Sequence, residues 1–165
     1  MKRDQREHDF SEFYLARGPG LRRTAYLVVR DWHLAEDLTQ QAFVRLYAAW
    51  PRVRRHSAEA YARKVVVNAC LSHLRKHRPE RPTGSLPDRE TTTSPDQVLD
   101  LAQALGMLPD RQRAIVALRF LDDLSVTAVA DLLGVAEGTV KSQTARALDT
   151  LRARLPELVA SEESR

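Results

Sequence analysis

The sequence is short of the residues that most enzyme chemistry and most β-structure require. A single cysteine, Cys70, in 165 residues excludes an internal disulfide and a cysteine-built metal cage. It sits among Val65, Val66, Val67 and Leu71 and reads as a small buried hydrophobe. No run of about 18 apolar residues occurs, so no membrane-spanning helix is expected. The charged start, Met1-Lys2-Arg3-Asp4-Gln5-Arg6-Glu7, has no apolar segment behind it, which argues against a secretory signal and for the cytoplasm. A Gly-rich phosphate loop, a cluster of metal ligands and a nucleophile–base pattern are all missing. The chain is therefore expected to be no enzyme and to need neither cofactor nor metal. Strong period-two alternation is missing too, so no sheet is expected.

What the sequence does have is an uneven distribution of charge. The net charge is only +4. Residues 51–78, however, hold eight bases (Arg52, Arg54, Arg55, Arg63, Lys64, Arg75, Lys76 and Arg78) against one acid, Glu59. Residues 96–165 carry eleven acids against eight bases. A basic block can be a solvated face, but this density, with His73 and His77 nearby, favours a nucleic-acid surface.

Two apolar-periodic regions flank one break. The break, 79–95, contains four prolines, a glycine and many Ser/Thr with almost no apolar content. It cannot bury enough surface to offset its own ordering, and it reads as a flexible linker between two small all-α domains, 9–78 and 96–156. In the first domain Leu21, Ala25, Val28 and Val29 recur at helical spacing. Ala35, Leu38, Ala42, Leu46 and Ala49 form a second stripe, capped by Asp31 and stopped by Pro51. Phe43, Tyr47 and Trp50 run beside that stripe and at least some of them read as core. A third helix, 58–77, is expected to bury Tyr61, Val65, Val66, Ala69 and Cys70 and to leave Arg63, Lys64, Arg75 and Lys76 accessible.

The second domain reads as a helix-turn-helix. Ser94-Pro95 opens a helix through Val98, Leu101 and Leu105. A helix over 110–121 follows. Ser125 caps a short helix carrying Val129, Ala130, Leu132 and Leu133, and Gly134 ends it in the left-handed conformation. After Gly134-Val135-Ala136 a last helix runs over about 137–155, with Val140, Ala147, Leu148, Leu151 and Leu155 facing inward. Such a pair, joined by a tight glycine turn, suits placement of the second helix in a major groove.

The stretch Asp31–Trp50, D-W-H-L-A-E-D-L-T-Q-Q-A-F-V-R-L-Y-A-A-W, resembles the second conserved region of extracytoplasmic-function sigma factors of bacterial RNA polymerase. The stretch Leu108–Leu155, which includes L-G-V-A-E-G-T-V-K-S-Q-T-A-R-A-L-D-T-L, resembles their fourth region. The order, spacing and linker match as well, over roughly 9–155, and Tyr61–Asn68 with its following bases resembles the actinobacterial branch. The resemblance implies a protein that binds RNA polymerase core, directs it to promoters and assists DNA opening.

It also implies roles for particular residues. Asp37, Gln40, Gln41, Val44 and Arg45, with Phe43 at the edge, would dock on the clamp helices of the largest polymerase subunit. Gln41 stands where relatives usually have an acid. Arg52, Arg54, Arg55, His56, Tyr61, Lys64, Asn68, Arg75 and Lys76 would bind the minus-ten element, arginines on phosphates and Asn68 on a base edge. Two roles stay open for Tyr61, stacking on a flipped base or packing in the core. It stands where many relatives have Trp, and Ser72 where many have Asp. Thr139, Lys141, Ser142, Gln143 and Arg146 would read the minus-thirty-five element. Gln143 replaces a common arginine and Ala136 a common Ser cap, whose loss typically costs about 1 kcal/mol. With the net acidity of 96–165, the second domain is expected to bind DNA weakly unless polymerase holds it. An apolar surface near Leu118, Phe120 and Leu121 would meet the flap of the second-largest subunit, unless Phe120 is core. The linker acids Glu80, Asp88 and Glu90 would mimic RNA or sit in a passive tether. Relatives are often restrained by an anti-sigma factor, and one is a possible partner here.

Overall fold

The computed structural model describes residues 2–78 and 103–154. These residues form helices and turns with no strand among them. The 79–95 linker with its three acids, the Ser94-Pro95 helix start with Val98 and Leu101, and the positions from Leu155 onward lie outside the described residues. The chain divides into two units, Met1–His73 and Leu74–Arg165. Each has its own core.

In the first unit, α1 spans Arg3–Val29 and α2 spans Trp32–Ala49. The helix α1 runs through Gly18-Pro19-Gly20, a triplet that local propensity would make a break. Proline removes the N–H that would bond the Leu15 carbonyl, and each glycine costs about 1 kcal/mol in a helix interior. Burial overrides this. Leu21, Ala25, Tyr26, Leu27 and Val28 are all in the core, and Gly18 is buried beside the rings of Tyr14 and Phe43. Arg30 ends α1 at φ 64°, its N–H donating to the Tyr26 carbonyl. Asp31 then caps α2, its carboxylate accepting from the Leu34 N–H at 3.0 Å, and Ala35, Leu38, Ala42 and Leu46 are buried as the stripe predicts.

Aromatic rings fill the seam between α1 and α2. Phe10 meets Tyr47 and Trp50 edge-on with centroids 5.0 and 5.4 Å apart. Phe43 takes the edges or tilted faces of Phe10, Phe13 and Tyr14. Such pairs contribute about 0.5–1.5 kcal/mol each beyond the area they bury. Two 3₁₀ turns, Trp50–Arg52 and Arg55–Ser57, lead into α3 over Ala58–Lys76.

The buried arc of α3 is Ala58, Ala62, Val66, Val67 and Cys70. It is rotated from the expected one. Tyr61 leaves the core, Val65 and Ala69 are only partly covered, and Arg63 turns inward. The Arg63 guanidinium is 15% exposed and pairs with Glu59 at 3.1 Å, while Glu59 also meets Arg17 of α1 at 3.4 Å. An acid one turn away and helical packing therefore consume a base that the sequence placed in solvent. Cys70 is buried as expected, and desolvation pushes its thiol up to about 12.

In the second unit, α4 spans Asp110–Val116, α5 spans Val126–Leu133 and α6 spans Glu137–Arg154. The core is aliphatic: Leu105, Leu108, Ile115, Leu118, Val129, Val140 and Ala147. Arg113 is buried with it, donating to the Leu108 carbonyl at 2.9 Å and to Asp110 at 2.7 Å. The expected helix over 110–121 does not stay α-helical. From Ala117 to Leu121 it widens to a π turn, closed by the Asp122 N–H on the Ala117 carbonyl at 3.1 Å. The Arg119 guanidinium holds the exit by donating to the Leu124 carbonyl.

Ser125 caps α5 through the Ala128 N–H at 3.0 Å, and Gly134 ends it at φ 67°, where only glycine avoids strain. The Thr127 hydroxyl donates to the Glu137 carboxylate at 2.7 Å, tying α5 to the first turn of α6 across the glycine turn.

Candidate nucleic-acid interface

Three surfaces carry the residues singled out in the sequence. On α2 the residues opposite the buried stripe are Asp37, Gln40, Gln41, Val44 and Arg45, all exposed. Their spacing of three and four residues places them on one face. Val44 is 71% exposed, an apolar point among polar neighbours. Phe43 does not belong to this face. It is 4% exposed and serves as the hub of the aromatic seam, because its position points toward α1 rather than outward.

The second surface is the α2–α3 connection and the outer face of α3. Tyr61, Lys64, Asn68 and Arg75 recur at i, i+3, i+7 and i+14, which brings them onto one stripe. That stripe lies opposite Ala62, Val66 and Cys70. Tyr61 is 41% exposed, so its ring is available for stacking and is not a core member. Lys64, Asn68, Arg75 and Lys76 are exposed, with Ser72 partly covered on the same side. In the connection Arg52, Arg54 and His56 are exposed. Arg55 is exposed as well, but its guanidinium is also tied to the Asp9 carboxylate of α1. Sequence patterning could not have found that partner, because the two residues are 46 positions apart. An aromatic ring, an amide and several cations on one convex stripe can take a sugar–phosphate strand and hold an unstacked base.

The third surface is α6. Lys141, Ser142 and Arg146 are exposed, and Thr139 and Gln143 sit half-buried at its rim. Val140 and Ala147 face the core, so the exposed face is set by the helix that packs beneath it. The Ser142 hydroxyl donates to the Thr139 carbonyl at 3.2 Å, a bond it must exchange to donate to a phosphate. Nearby, Phe120 is 47% exposed and the Arg119 guanidinium lies 5.7 Å from its ring centroid. Phe120 is therefore a surface residue. Leu118, expected beside it, is fully buried and cannot meet a partner, while Leu121 is half-buried. Two residues apart on a helix, Leu118 and Phe120 point to nearly opposite sides, which accounts for this split.

A glycine-turned helix pair with cations on its second helix, and a separate helical unit with a basic aromatic stripe, define a two-part DNA-binding regulator. Comparison with known proteins narrows that class. The Sigma-70 region 2 model matches residues 13–80, and the Sigma-70, region 4 model matches residues 99–151. The RNA polymerase sigma-E factor of Streptomyces avermitilis is 37% identical over 152 residues, covering 89% of this chain and 85% of the relative. The ECF RNA polymerase sigma factor SigM of Mycobacterium tuberculosis is 34% identical over 155 residues, covering 91% of this chain and 76% of the relative. Among solved structures, the sigma factor RpoE of Bartonella quintana, crystallised with the anti-sigma factor NepR, superposes with a TM-score of 0.72 at 25% identity. That match covers 90% of this chain and 98% of the other. The chain belongs to the sigma-70 family, in its extracytoplasmic-function branch, and its regions 2 and 4 are those of promoter recognition and transcription initiation.

Proposed function

We propose that the first domain, 9–78, docks on polymerase core and opens the minus-ten element, and that the second, 96–156, reads the minus-thirty-five element. The 79–95 segment joins them. The outward face of α2, with Asp37, Gln40, Gln41 and Val44, binds the clamp helices of the largest subunit. The polar groups orient the contact and Val44 supplies apolar area. Arg52, Arg54, His56, Lys64, Arg75 and Lys76 take the phosphates of the non-template strand. Tyr61 stacks on an extruded base while Asn68 reads its edge. On α6, Lys141 and Arg146 provide the charged contacts, with Thr139, Ser142 and Gln143 at the groove edge. Phe120 meets the flap of the second-largest subunit. The chain works in the cytoplasm and carries out no catalysis of its own. The anti-sigma factor bound to the Bartonella quintana neighbour supports control of this chain by such a partner.

One observation carries this reading: Tyr61, Lys64, Asn68 and Arg75 share the solvent face of α3, opposite its buried arc. The test is a Tyr61→Ala, Asn68→Ala double variant assembled with core polymerase. Promoter opening is expected to fall by roughly tenfold or more while core affinity holds, since base–aromatic stacking is worth about 1–3 kcal/mol. Unchanged opening would remove the stripe from the DNA-binding surface.

A further inference from the structure

Arg55 is held in a way the DNA-binding role does not require. Asp9, in the second turn of α1, has a carboxylate only 4% exposed. It accepts from Gln5 Nε2 at 2.9 Å and from the Arg55 guanidinium. One turn earlier, Arg6 donates to the Tyr47 carbonyl at 2.8 Å and lies 4.4 Å from the centroid of the Tyr47 ring. Two turns of α1 thus grip the end of α2 and the start of the connection that follows it. A buried carboxylate must be paired, so this ion pair is set by the fold rather than by solvent. The flanking residues Arg54 and His56 are both exposed. The connection is further closed by the Ser57 N–H on the Arg54 carbonyl at 3.0 Å and by the Ser57 hydroxyl on the same oxygen at 3.1 Å.

We infer that Asp9 is a positioning residue for the minus-ten loop, acting through Arg55. The ion pair fixes the 3₁₀ turn Arg55–Ser57 against α1, so that Arg54 and His56 are displayed before DNA arrives. The ordering of the loop is then met on folding rather than on promoter capture. Arg55 commits its guanidinium to Asp9 while its side chain stays 70% exposed, so on this reading its first task is to hold the loop rather than to take a phosphate. Gln5, Arg6 and Asp9 all precede residue 13, where the match to the region 2 model starts.

The inference rests on the reading that residues 52–57 bind minus-ten DNA, and its test separates the two. Asp9→Asn, Arg55→Gln and the double variant are assembled with core polymerase, and opening is followed with a fluorescent base in the minus-ten element. Each single variant is expected to open roughly tenfold more slowly, with the double variant no slower than the worse single. Core affinity and the salt dependence of promoter binding are expected to stay at wild-type values, and Asp9→Glu, which keeps the charge, to recover part of the rate. Amide hydrogen exchange in residues 52–57 of the free chain is expected to quicken in both single variants while exchange around Leu46 stays unchanged. If Arg55→Gln flattens the salt dependence by about one phosphate and Asp9→Asn is neutral, Arg55 is a phosphate ligand and the latch is wrong. Unchanged loop exchange also overturns it, whatever the DNA assay shows. If Arg54→Gln and His56→Ala open normally while loop exchange in Asp9→Asn rises, the DNA reading of the loop fails and the positioning role falls with it.

Discussion

Nine of the ten aromatic residues lie in the first unit, and the second unit has only Phe120. The first unit uses its rings as mortar: six of them interlock between α1 and α2. The second builds its core from Leu, Ile, Val and Ala and leaves its one ring in solvent. Small helical cores can be filled either way. The difference shows where aromatic rings remain for other work. In the first unit Tyr61, outside the seam, is an exposed ring on the outer stripe of α3. In the second, Phe120 is set aside altogether. Charge follows the same division. The first unit ties several arginines into its own fold, through Asp9, Glu59 and the Tyr47 carbonyl, and still presents a basic face. Beyond residue 103, the exposed bases among the described residues are Arg111 on α4 and Lys141, Arg146 and Arg152 on α6.

The largest effect should come from breaking the aromatic seam. Trp50→Ala removes a ring that packs on Phe10 and Phe13, and should destabilise the first unit by about 3–5 kcal/mol. Both tryptophans, Trp32 and Trp50, lie in this unit, so fluorescence of the remaining one reports its unfolding alone. A loss below about 1 kcal/mol would mean the seam contributes little. Next, Lys141→Ala with Arg146→Ala should lower the salt slope of upstream-element binding by about two and weaken initiation where that element is needed. Core affinity should hold. Normal initiation would move the reading surface off α6.

Smaller effects separate the units further. Burial keeps the Cys70 thiol neutral in the fold up to about 12, above its ordinary value of about 9. Unfolded chains therefore lose that proton first, and stability from this group is full below about pH 9 and declines as pH rises toward 12. Against a Cys70→Ala control, denaturant titrations should show stability falling as pH rises through that window. In the second unit α6 starts at Glu137, with the Ala136 carbonyl accepting from Thr139 and Val140. Ala136→Ser should supply a side-chain cap and raise the thermal midpoint, by about 0.5–1 kcal/mol of stability. Phe120→Ala should move stability least, by under about 0.5 kcal/mol, while weakening initiation from promoters that need the upstream element. A large loss of stability would return Phe120 to the core.

The features legible in the sequence were the ones written in local chemistry. Asp31, Ser125 and Gly134 cap or end their helices through bonds three to five residues away, which spacing alone predicts. The α2 stripe was legible because a single face of one helix packs on one neighbour. The features misread or left unread depend on distant partners. The helix through Gly18-Pro19-Gly20 persists because the rest of α1 is buried. The rotation of α3 that exposes Tyr61 and withdraws Arg63 is set by Glu59 and by α1. Phe43 and Leu118 looked accessible because the period of a helix gives its faces but not which neighbour covers each one. Asp9 drew no notice, since a lone acid in a charged opening stretch has no pattern to betray its burial.

Cys70 has a consequence for signalling. Its sulfur is buried and its thiol is held protonated, so there is no accessible thiolate to attack a peroxide or a disulfide. No other thiol exists in this chain. An oxidative stimulus would have to be sensed by another molecule and reach this one as binding or release.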